Sequence, residues 1–146
     1  MTKILTVFIL ISAILTSTAL LARPAFTGKD YSGVYQCTGN DTKEGAYTGV
    51  VTMKLKPEHS FATYASYDFK LEVPGYGTYL GEAAANENQF AMHFALIDPT
   101  TKDFGTGVAT IKKNKQGKLA FHKFYFEPEF KGGNTGNEDC VLKASH

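Results

Sequence analysis

Four histidines, His59, His93, His122 and His146, are the side chains of this 146-residue chain able to exchange a proton near neutral pH. His59 falls among turn residues and His146 at the C-terminus, where a solvated imidazole is expected. His93 and His122 fall mid-strand on neighbouring runs and could face one another across a barrel. A catalytic pair would also need a carboxylate within hydrogen-bond reach. The ordinary reading is two half-buried strand histidines, and no catalytic residue is assigned. No two histidines stand at metal-ligand spacing and no cysteine is spare for zinc, so neither a metal nor another cofactor is expected. Glu127, Glu129, Glu138 and Asp139 could offer oxygens to calcium, but their spacing matches no EF-hand. A solvated acidic loop is the expectation there. Gly105-Thr106-Gly107 and Gly75-Tyr76-Gly77 lack the following helix and Lys-Ser/Thr of a phosphate loop, and no Gly-x-Ser-x-Gly elbow is present to expose a nucleophilic serine.

Binding chemistry is better supplied. Lys123 and Tyr125 alternate along one strand and would share a face. If that face is internal, they could anchor an anionic head group beneath apolar walls. Phe61, Phe69, Phe90, Phe94 and Phe121 would line or fill such an interior. The strand that carries Lys123 has aromatic residues on both sides. Leu119, Phe121, Lys123 and Tyr125 form one face; Ala120, His122, Phe124 and Phe126 form the other. One set must point outward. The long loop at 128–136 is expected to fold over it; left bare, it would be a docking patch for a protein partner.

The compartment follows from the N-terminus and the cysteines. Lys3, an apolar run from Ile4 to Leu15 and small residues at Ser17, Thr18 and Ala19 have the order of a secretory signal peptide. Cleavage is expected after Ala19 or Ala22, with residues 1–22 as the signal, 23–30 as a short lead-in and 31–146 as a single domain. The protein is expected to be secreted or periplasmic, with no membrane span after cleavage. In such a chain Cys37 and Cys140 are most simply a disulfide. They are not in a Cys-x-x-Cys arrangement, so a redox role is not expected.

Charge excludes one class of partner. The chain has 15 basic and 14 acidic residues, a formal net charge of +1, and a single arginine, Arg23. It has no basic stripe and little of the guanidinium chemistry that reads phosphates, so nucleic acid is not an expected partner.

These residues must be positioned by strands. From Tyr31 onward, apolar and polar residues alternate in runs separated by Gly, Asn, Asp and Pro. Runs are expected at 31–38, 46–56, 61–73, 76–85, 89–97, 104–113, 118–126 and about 138–142. The third is the clearest, with Phe61, Thr63, Ala65, Tyr67, Phe69, Leu71 and Val73 on one face. Residues 81–97 are alanine-rich, and Phe90, Phe94 and Ile97 also fit helical spacing. Phe90, Met92, Phe94 and Leu96 alternate well, so two strands are preferred there. The fold class is therefore all-β, an antiparallel up-and-down barrel of about eight strands. Closure hides both sheet edges and brings Cys37 beside Cys140, so the disulfide joins the first and last strands. The alternatives are a two-sheet sandwich or a sheet wrapping one helix at 81–97.

The opening segment Asp30-Tyr31-Ser32-Gly33-Val34-Tyr35, with eight strands and a terminal disulfide, resembles the calycin group of lipocalins, avidins and fatty-acid-binding proteins. Where that group often shows Gly-x-Trp, this chain has Gly33-Val34-Tyr35, and Tyr35 would fill the barrel base. The chain lacks the final-strand arginine of lipocalins, the biotin cage of avidins and the Arg-x-Tyr anchor of fatty-acid-binding proteins, for which Lys123-Phe124-Tyr125 is the nearest substitute. The resemblance implies a cup-shaped barrel and a ligand held within it. The expected function is an exported, non-enzymatic barrel binding a small apolar or amphipathic ligand. The alternatives are a protein-interaction or inhibitor module using the aromatics of the seventh run (Phe121, Phe124, Tyr125 and Phe126) and the 128–136 loop, and an enzyme using His93 or His122.

Overall fold

The computed structural model describes residues 23–144. The expected signal segment and His146 lie outside the described residues. Eight strands follow one another: β1 (Gly33–Asp41), β2 (Gly45–Leu55), β3 (Tyr64–Val73), β4 (Gly77–Asn86), β5 (Gln89–Leu96), β6 (Phe104–Lys113), β7 (Leu119–Glu127) and β8 (Asn134–Ala144). Each pairs antiparallel with the next, and β8 pairs with β1 to close the barrel. The up-and-down barrel is therefore the fold, and residues 81–97 are two strands of it. Alternation outweighs the helix propensity of the alanines: Ala83, Ala85, Phe90, Met92 and Phe94 all point into the core.

Cys37 and Cys140 are direct partners across the closing pair, with Cα atoms 4.1 Å apart and a disulfide between them. Both are fully buried, so the bridge lies on the inner wall.

One end of the barrel, the base, is packed shut. Tyr35 is fully buried there, its ring 5.2 Å from Phe121, and its hydroxyl donates to the Tyr31 carbonyl. Tyr31 sits 5.2 Å from Phe90 and donates to the Glu87 carbonyl. Through its hydroxyl, Tyr67 accepts the Tyr31 N–H at 3.1 Å and donates to the Lys29 carbonyl of the lead-in at 3.5 Å. Burial pushes its phenol up to about 12. The lead-in thus becomes part of the base.

Strand ends depart from expectation at three places. β3 begins at Tyr64 and not at 61, because Ala62 takes a left-handed φ of 46° and breaks the alternation. Phe61 consequently leaves the inner face. It lies half-buried outside the strand, with the Arg23 guanidinium 4.3 Å from its ring centre. β1 extends to Asp41, whose carboxylate accepts the Lys43 and Glu44 N–H groups at 2.7 and 2.9 Å and shapes a tight turn. β8 starts at Asn134, four residues before the expected run, leaving 128–133 as the connection. Gly136 makes this extension possible. It pairs with Tyr125, and a Cβ at Gly136 would come within 2.2 Å of the Tyr125 ring. Gly39 yields to Tyr47 in the same way on β1.

Candidate functional site

The polar groups of the interior gather at the end opposite the base. β7 brings Lys123, Tyr125 and Glu127 inward by simple alternation from Phe121. β8 brings Glu138 and Asn134 inward by alternation from Cys140, and β1 brings Asp41 inward from Cys37. Asp103 enters from the connection between β5 and β6. Four buried carboxylates, Asp41, Asp103, Glu127 and Glu138, face one buried lysine, Lys123, among the described residues.

Lys123 is only 1% exposed in its side chain, and its Nζ stands 2.6 Å from Glu138 Oε2. The contact is ionic: Oε2 receives no hydrogen bond of good angle. Glu138 Oε1 accepts the Tyr47 hydroxyl at 3.1 Å. The rings of Tyr125, Phe94 and Phe69 surround the ammonium at 5.2, 5.3 and 5.6 Å. Gly107 gives the lysine stem its room, since a Cβ there would stand 3.3 Å from Lys123 Cγ and Cδ. Lys123 and Tyr125 are therefore inward as a pair, but the lysine charge is already matched by Glu138.

Nearer the mouth, Asp41 accepts from Tyr125 at 2.8 Å and from Asn134 at 2.6 Å, and Asn134 also donates to Glu127. Burial opposes ionisation of Asp41, but the donors from Asn134, the backbone of Glu44 and Lys43, and Tyr125 outweigh it and hold its carboxyl below the usual range. Glu127 goes the other way. Burial, reinforced by the charges of Asp103 and Asp41 and only partly offset by Asn134 and Lys123, leaves it pushed up to about 7. Burial and the neighbouring carboxylates also raise Tyr47, Tyr79 and Tyr125, which stay protonated and act as donors.

Glu127 gives the barrel a stability slope of definite sign. Its proton is held more tightly in the fold than at the ordinary value of 4.5, so its contribution is complete below that value and is lost as pH rises through about 7. The loss from this group between pH 5 and 8 should amount to about 3 kcal/mol at most. Glu127→Gln keeps an acceptor for Asn134 and should flatten that part of the profile. Thermal melts of both proteins at pH 5 and 8 check this; an unchanged slope in the variant would sink the assignment.

A connection closes over these groups. Residues 128–133 cross the mouth with Phe130 buried beneath them. Lys131 pairs with Glu44 on the β1–β2 turn, and Lys102 pairs with Glu129 at 2.9 Å. Under Phe130 lies a cavity of about 60 Å³, lined by Leu71, Val73, Tyr79, Phe94, Asp103 and Glu127 among others. That is room for a few water molecules or one small head group, and far below the ~300–1,000 Å³ of a drug-sized pocket. Asp103 is 3% exposed. Its Oδ2 accepts the Tyr76 and Tyr79 hydroxyls, each at 2.9 Å, while its Oδ1 is buried without a hydrogen-bond partner.

The expected site residues divide. Phe94, Lys123 and Tyr125 reach this cavity. Phe69, Phe90 and Phe121 fill the barrel below it, in contact with other rings. Phe61 lies outside. The acidic stretch expected to be a solvated loop is split: Glu127 and Glu138 are interior, whereas Glu129 and Asp139 are exposed. Those four oxygen donors do not converge. His93 and His122 are exposed on the outer wall, where His122 Nδ1 lies 2.9 Å from Asp139 Oδ1. Phe124 and Phe126 are also open to solvent, because the connection expected to cover them folds over the mouth. Asp41, Tyr47, Tyr79, Asp103 and Asn134 had not been expected at the site. For Asp41 and Asn134, the usable signal was the alternation running outward from each cysteine.

No protein-family model matches this chain, and no significant similarity to a curated protein or to a solved structure is found.

Proposed function

We propose that this is an exported, non-enzymatic barrel that holds a small amphipathic ligand, head first, in its mouth. The observation that carries this reading is the cavity under Phe130, where polar groups converge between aromatic and aliphatic walls. Buried rings in mutual contact fill the barrel below, so the ligand's apolar part stays at the rim, against Leu71, Val73 and Phe130. The resemblance to calycins supports a ligand in the cup and names none. Export is supported by the disulfide and by the order of residues 1–22; among the described residues, no helix is long and apolar enough to cross a membrane.

The test is native mass spectrometry of the protein purified from its own host, joined to a titration with short-chain amphiphiles. An additional mass lost on denaturation, or saturable shifts of the Val73 and Phe130 amide resonances, is the expected result. A clean apo mass together with unmoved mouth resonances would overturn the reading.

The outer wall favours a second reading. Phe124, Phe126 and Val108 are exposed side by side across β6 and β7, a surface suited to a protein partner. A partner lost on Phe124→Ser but kept when the mouth is altered would move the function there. His93 and His122 point away from the cavity; His122 has the Asp139 carboxylate within hydrogen-bond reach, but that pair is exposed on the outer wall.

A further inference from the structure

Charge at the mouth is unbalanced. Lys123 is matched by Glu138, which leaves Asp41, Asp103 and Glu127 buried with no cationic side chain among the ion pairs of the described residues. Asp41 is satisfied by four donors. Glu127 has Asn134. Asp103 has two hydroxyls on one oxygen and none on the other. A buried carboxylate oxygen without a donor is costly and calls for an explanation. The walls beside it are aromatic: Tyr76 and Tyr79 stack in parallel at 6.3 Å, and Phe94 stands edge-on to Tyr79 at 5.9 Å. Ring faces next to a carboxylate attract cations and repel anions.

We infer that the mouth takes a primary alkylammonium, its N–H groups donating to the Asp103 carboxylate that lines the cavity and its charge resting against the aromatic walls. This deepens the reading of the mouth as a ligand site and rests on it. The cavity admits a group of that size and little more. Calcium wants six to eight oxygens arranged around it. The one trio of possible ligating atoms that converges among the described residues is Cys37, Glu138 and Cys140, and both of its sulfurs are in the disulfide. An ammonium has three N–H donors; the Asp103 carboxylate takes the first, and the tyrosine hydroxyl oxygens that line the cavity can accept the others within a π-rich surround. Its alkyl chain would leave past Phe130, over Leu71 and Val73. An anionic head group, the expectation drawn from Lys123, is disfavoured, because that lysine has its counter-ion and the remaining charge is negative.

The test compares three probes of equal chain length, n-butylammonium, butyrate and n-butanol, titrated at pH 8 into the isotopically labelled mature protein. Backbone resonances of Tyr79, Asp103 and Phe130 are followed. Butylammonium should bind saturably and roughly tenfold or more tightly than the other two, as expected for a charge-assisted hydrogen bond. Asp103→Asn, which keeps acceptors for both tyrosines, should reduce butylammonium to the level of butanol. Tight butylammonium binding by the folded variant overturns the inference. If the variant does not fold, the ranking of probes on the native protein decides. Butanol or butyrate binding as well as butylammonium at the same resonances overturns the cationic assignment and leaves the mouth site standing. Silence from all three probes overturns both.

Discussion

Lys123→Met on its own should lower the folding free energy by about 3–5 kcal/mol, because it leaves Glu138 charged and almost wholly enclosed. Glu138→Leu should cost a similar amount by stranding the ammonium among Phe69, Phe94 and Tyr125. The double variant should recover most of the loss, since two apolar side chains of comparable volume remove both desolvation penalties together. Denaturant melts of the four proteins form a cycle, and a coupling near zero would show that the two groups do not depend on one another. The recovered double variant also separates stability from function. Its mouth keeps Asp103 and the tyrosines, so binding there should persist.

Removing the disulfide should have an effect of the same size. Cys37 and Cys140 are 103 residues apart in sequence, and opening a loop of that length costs up to about 4–5 kcal/mol in the chain-entropy model. Replacing both cysteines by alanine avoids burying new hydroxyls on the inner wall. The expected result is a urea midpoint lowered enough to leave the barrel marginal at physiological temperature. A shift of less than about 1 kcal/mol would mean that β1 and β8 hold each other without help, through their pairing from Val34 to Asp41.

The architecture was legible because its signals repeat. Phe69 and Leu71, or Phe90, Met92 and Phe94, alternate strongly enough to outweigh the alanines between Gly81 and Ile97, and two distant cysteines imply that the sheet closes. Phe61 was misplaced for a local reason: a single left-handed residue, Ala62, ends the alternation where the residue types continue it. The polar interior was hidden by composition. Asp41, Asn134, Gly136 and Glu138 are the residue types of a solvated turn, and strand propensity argues against them. Their donors and acceptors come from other strands, Tyr47 for Glu138 and Tyr125 for Asp41, so no local window reveals that they are satisfied. Asp103 was the least accessible to sequence reading. It sits in a connection, and its orientation is fixed by Tyr76 in the β3–β4 turn and Tyr79 on β4.

The sulfur atoms face the core and not the medium. A thiol in solution must therefore wait for the wall to part before it can attack them, and the interval is set by spontaneous opening of the barrel. Once folded, the protein should carry its bridge intact through reducing surroundings for as long as it stays closed, making thiol release a clock for that opening.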